Sequence, residues 1–140
     1  MCNFEKIKKL LSKQGHIDYW KNTAAKDWKV VNVLFGTKYF VHALFYSHLV
    51  LEKLLKAHWV KDNESNHPPK IHNLVYLLSK TKLNLQEDSI AFLEQMNLFQ
   101  LEGRYPDYRT NINKVYKGKQ TQEIIKEVNK VRKWLLKNLQ

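Results

Sequence analysis

KYFVHALFYSHLVLEKLLKAHWV, residues 38–60, carries Phe40, Val41, Leu44, Phe45, Leu49, Val50, Leu51, Leu54, Leu55 and Trp59. Wound at 3.6 residues per turn, these side chains leave few polar faces, and a helix apolar on most sides must be covered by neighbours. The stretch is therefore expected at the centre of a helical domain. Upstream, Trp20, Ala24, Trp28, Val31 and Phe35 recur every three to four residues, one stripe of a helix from about residue 18 to 35 that Gly36 ends. Before it, Phe4, Ile7, Leu10 and Leu11 form a short amphipathic helix stopping near Gly15, so residues 1–16 read as an N-terminal arm. Downstream, the polar segment KDNESNHPP, with Pro68 and Pro69, leads into a short helix carrying Ile71, Leu74, Val75 and Leu78. Asn84 followed by Glu87 resembles a capping box opening a helix through Ile90, Leu93, Met96 and Leu101, which Gly103 and Pro106 break. From about Thr121 a last helix carries Ile124, Val128, Val131, Leu135 and Leu139 on one face, with Glu123 and Glu127 early and Lys133 and Lys137 late, as the helix dipole favours. No stretch alternates with period two. The expected fold is all-α, an up-and-down bundle of four to five helices over residues 17–140.

The chain's 140 residues suit one domain. A lone cysteine, Cys2, excludes a disulfide framework and a Cys-rich zinc site, and no apolar run reaches membrane-span length, so a cytoplasmic protein is expected, with no membrane association. The net charge of +11 is uneven: residues 1–60 hold 10 Lys/Arg against 4 Asp/Glu, residues 61–103 hold 4 against 6, and residues 104–140 hold 10 against 3. If the two basic ends meet in space they form a surface suited to phosphate-bearing partners; otherwise the charge serves solubility.

Six histidines raise the question of metal. His42 and His48 fall on different faces of their helix, while His48 and Glu52 share one, without a third ligand at a recognisable spacing. No metal and no cofactor are expected. Gly-rich phosphate loops and the GxSxG nucleophile pattern are absent, which removes the P-loop and serine-hydrolase readings. Glu52 and Lys56, one turn apart, read as an intrahelical ion pair. The turn at residues 103–109, GRYPDYR, crowds Arg104, Arg109, Tyr105, Tyr108 and Asp107 around Pro106. Guanidinium clamps phosphate through paired N–H groups and a phenol ring offers a stacking face for a base. The same groups also serve as a tether for the loop.

Taken in order, AxFxxHLxxEKLLKA at residues 43–57, the Pro68-Pro69 loop with His72-Asn73-Leu74 and Leu77-Leu78, Asn97, Arg104-Tyr105-Pro106-Asp107 and the final amphipathic helix resemble the HEPN (higher eukaryotes and prokaryotes nucleotide-binding) domain family over roughly residues 17–138. The resemblance implies a four- or five-helix bundle, commonly a homodimer. In bacteria and archaea such proteins are often encoded beside a minimal nucleotidyltransferase and bind nucleotide or substrate for it, in a toxin–antitoxin-like pairing. It also implies a nucleotide-binding role for Glu52, Lys53, Lys56, His72, Arg104, Tyr105 and Asp107, to which the chemistry of the turn adds Arg109.

Many HEPN proteins are metal-independent ribonucleases with a His four to six residues after an Arg near the last core helix. Here no His follows Arg104 or Arg109, and the last histidine of the chain is His72. The expected function is thus a non-catalytic HEPN domain that binds a nucleotide or RNA phosphate, with no catalytic residue of its own. Two alternatives stay open: a divergent ribonuclease in which His48 or His72 replaces the missing histidine, and a dimerising scaffold module.

Overall fold

A computed structural model describes residues 3–104 and 115–140, with the backbone alone for 101–104. The described residues form six helices: α1 (Asn3–Leu10), α2 (Lys13–Gly36), α3 (Phe40–Asp62), α4 (Leu74–Ser79), α5 (Glu87–Arg104) and α6 (Gly118–Lys137). The all-α reading holds, and α2, α3, α5 and α6 are the long members of the bundle.

α3 is central, as its all-round apolar character requires: α2, α4, α5 and α6 all pack on it. Leu44, Leu51, Leu54 and Leu55 of α3 join Leu74 and Leu77 of α4, Leu93, Met96 and Phe99 of α5, and Val128 and Leu135 of α6 in one core. A smaller cluster, Ile17, Ala57 and Val60 with Trp20, Trp59 and Leu139 against it, closes the C-terminal end of α3. Polar pins fix that end. His58 donates from Nε2 to the Leu135 carbonyl at 2.8 Å, and the Lys13 ammonium donates to the carbonyls of Val60 at 2.7 Å and Asn63 at 2.8 Å. A cation there meets the negative end of the helix dipole.

Helix boundaries depart from the sequence reading at several points; among them, Gly103 does not break α5, which runs on to Arg104, and α6 starts at Gly118, ahead of Thr121. Gly15 does not stop a helix; it lies in the first turn of α2, which Ser12 opens by accepting from the Gly15 amide at 3.0 Å. A Cβ at Gly15 would collide with the carbonyl oxygens of Lys9 and Leu10, so glycine serves the tight junction between α1 and α2. α3 starts at Phe40 instead of Lys38, because Lys38 takes a left-handed backbone (φ 67°) in the turn. α4 starts at Leu74, well after the prolines, with Asn73 as its cap through a 3.0 Å bond from the Tyr76 amide. α5 begins at Glu87, so Asn84 is not its cap; the Ser89 and Ile90 amides bond the Gln86 carbonyl. α1 buries none of its side chains. No helix of the described residues is long and apolar enough to cross a membrane.

Candidate functional site

The EKLLKA segment of α3 places Glu52 and Lys56 one turn apart on a buried face. Glu52 is 4% exposed and Lys56 6%, so the ion pair read from the sequence forms, but inside the protein. Lys56 Nζ donates to Glu52 Oε2 at 3.1 Å and lies 5.4 Å from the ring centroid of Trp20 on α2. The other carboxylate oxygen, Oε1, is 2.9 Å from His72 Nδ1. Because a carboxylate only accepts, Nδ1 carries the proton in that bond. The pair is thereby relieved of much of its desolvation cost: each carboxylate oxygen has a donor and the ammonium has an anion and an aromatic face.

His48, one turn before Glu52, is buried with Nδ1 3.9 Å from Glu52 Oε1, beyond hydrogen-bond range. Burial pushes its pKa down to about 4, against the opposing pull of Glu52, the Asn97 side chain and the His72 backbone. His48 is therefore neutral at pH 7. Its Nε2 makes no well-formed hydrogen bond.

Asn97 of α5 and Asn73 bind the entry of α4 to this cluster. Asn97 Oδ1 accepts from the Leu74 amide at 2.9 Å, and Asn97 Nδ2 donates to Asn73 Oδ1 at 3.3 Å. His72 is the residue just before that cap. Its side chain is 41% exposed while its carboxylate partner is buried, so the cluster reaches solvent through an imidazole whose orientation is held from below.

Of the residues singled out by sequence, the fold brings together Glu52, Lys56 and His72. It turns Lys53 elsewhere, to Asp27 of α2, where the two ions meet at 2.6 Å. Residue 53 is 100° around the helix from 52 and faces Asp27 on α2. Arg104 ends α5 seven residues beyond Asn97, and its side chain, with Tyr105, Asp107 and Arg109, lies outside the described residues. Among the described residues no three His, Cys, Asp or Glu side chains form a metal-binding group.

Sequence reasoning passed over Trp20, Asp27, Asn73 and Asn97 as partners of this site. Trp20 and Asp27 are seven residues apart, hence on one face of α2, opposite Lys56 and Lys53, which are three apart on α3; matching two basic residues on one helix to an aromatic and an acid on its neighbour would have paired them.

No curated protein and no solved structure matches the chain significantly. A family model described as HEPN domain matches residues 17–139, nearly the whole chain and the bundle from the second turn of α2 through α6, so this protein belongs to the HEPN domain family.

Proposed function

We propose that this HEPN domain binds the phosphate of a nucleotide or nucleic acid and leaves catalysis to a partner. The observation that carries the reading is the Glu52 carboxylate joined at once to buried Lys56 and to half-exposed His72. Lys56 and Glu52 cancel one another, and Lys53 is committed to Asp27. Glu52 and Lys56 therefore act as a buried support that aims His72. Direct ligand contact falls to His72 and to the arginines at 104 and 109, with Tyr105 as a stacking face and Asp107 as their counter-charge. The net charge of +11 supports an anionic partner. A minimal nucleotidyltransferase, a homodimeric state and a cytoplasmic location complete the proposal.

One observation favours the ribonuclease alternative. A carboxylate that fixes one nitrogen of a solvent-accessible imidazole is the arrangement of an oriented general acid or base. His48, buried and neutral, is a poorer candidate than His72 for that role.

Titration of the purified protein by calorimetry with ATP, GTP, a short single-stranded RNA and inorganic phosphate, followed by a gel of the RNA, tests both readings. Saturable binding with intact RNA, weakened in His72→Ala and Arg104→Ala, is the expected result. RNA cleavage abolished by His72→Ala would favour the nuclease. No binding and no cleavage would remove both and leave the scaffold.

A further inference from the structure

A second cleft lies on another side of the bundle. Val50 and Leu54 of α3 are each two residues from Glu52, about 200° around the helix, so they face away from the Glu52 cluster. With Ala24 of α2 and Leu136 of α6 they form the apolar wall of a cleft of about 160 Å3, to which Lys21 and Arg132 also contribute.

The cations of this cleft are unusual in their surroundings. Among the described residues no carboxylate lines it, and Asp27, close in sequence, is engaged by Lys53. Lys21 has no ion pair or hydrogen bond among the described residues. Arg132 is held in place without being neutralised: its guanidinium lies 4.7 Å from the ring centroid of Trp28, and Nε and Nη2 donate to the single acceptor Asn129 Oδ1 at 3.1 and 2.9 Å. A guanidinium has five N–H bonds, so donors remain for a ligand. Burial also pulls its pKa below the usual arginine value, the effect of a cation partly removed from water without an anion beside it.

A fixed guanidinium that meets no acid among the described residues, sharing the lining of an open cleft with an ammonium and apolar side chains, suits one class of molecule. We propose that the cleft between α2, α3 and α6 binds a small amphipathic anion, a body of about six carbons bearing one carboxylate or phosphate. The acid group would take the remaining N–H donors of Arg132 and the ammonium of Lys21, and the body would lie over Ala25 and Leu136, the accessible apolar residues of the lining, above the buried floor of Ala24, Val50 and Leu54. Either half alone is weak: inorganic phosphate lacks the apolar contact, and a neutral aromatic leaves both cations as they are.

The proposal is independent of the Glu52 cluster, and its test separates the two. The full chain is titrated with benzoate and phenyl phosphate, with benzyl alcohol and inorganic phosphate as the two half-ligands, and binding is followed by calorimetry and by the indole N–H resonance of Trp28. Benzoate or phenyl phosphate is expected to bind saturably, at least tenfold more tightly than benzyl alcohol and inorganic phosphate, and to shift the Trp28 signal. Arg132→Gln should weaken binding at least tenfold and Lys21→Gln severalfold, whereas His72→Ala should leave it unchanged. Lys21 has no ion pair or hydrogen bond among the described residues, so Lys21→Gln should fold normally and keeps the test decisive should Arg132→Gln unfold. Benzyl alcohol binding as tightly as benzoate, anion binding that survives both substitutions, or no binding of either anion would overturn the proposal.

Discussion

At the scale of single residues, burial decides what Glu52 and Lys56 are worth. On an exposed helix face an i,i+4 pair contributes about 0.3 to 0.5 kcal/mol. Here both members are almost completely buried, so removing one strands the other's charge in the interior, a loss of about 3 to 5 kcal/mol. Glu52→Ala is therefore expected to lower unfolding stability by about 3 kcal/mol in urea titration. The double variant Glu52→Leu/Lys56→Met should recover most of that loss, since an apolar pair of similar volume has no charge left to desolvate. Additive losses in the double variant would mean that each residue is held by contacts other than the pair. The sequence displayed the spacing of this pair but not its burial, because spacing reports a helix face and burial depends on what packs against it.

At the scale of elements, α4 shows how a six-residue helix is made stable by its ends. Asn73 caps it by accepting from the Tyr76 amide, and Asn97 of α5 accepts from the Leu74 amide, so two of the amides left over at any helix start are satisfied from different elements. Asn73→Ala is expected to cost about 1 kcal/mol by thermal or urea unfolding. If His72 contacts the ligand as proposed, the substitution should also weaken binding there; stability unchanged by the substitution would refute the capping role. The prolines at 68 and 69 had suggested an earlier start. Their rigid φ suits a first helical turn but does not require one, and the side-chain acceptor at Asn73 proved the stronger signal. Asn84, a similar residue type, caps nothing, because α5 begins after it at Glu87. Asn marks turns and helix starts alike, and only the backbone path separates the two.

At the scale of the whole molecule, two buried histidines set the response to acid. Burial lowers the pKa of His48 to about 4 and lowers that of His58, whose Nε2–H is given to the Leu135 carbonyl. Both are neutral in the fold, while in the unfolded chain they take up protons near the ordinary histidine value of 6.5. The unfolded state then binds more protons below that value, so stability is full above about pH 6.5 and falls as the pH drops toward 4. For His48 the loss reaches at most about 3 kcal/mol. Urea midpoints measured from pH 7.5 to 4.5 are expected to decline, and His48→Gln should flatten the curve; an equally steep decline in that variant would assign the acid response to other groups.

The sequence by itself determined the class of the fold and its centre. Residues 38–60 are apolar around most of the helix, and such a helix is stable in water only when surrounded, which fixes α3 as the core, covered by α2, α4, α5 and α6. The ordered short motifs pointed to the HEPN domain family before any coordinate, since family identity resides in the order and spacing of residues. The tertiary structure alone decided which charged residues act together. Glu52 and His72 are twenty residues apart and meet only because the chain from α3 to α4 folds back on α3, while adjacent Lys53 is carried to Asp27 by its position on the helix. It alone also brought Arg132 and Lys21 to one cleft between α2, α3 and α6, where no acid stands beside them among the described residues. Apolar periodicity is local and survives in a one-dimensional reading, whereas the partner of a charge is whichever group the packing brings within a few ångströms.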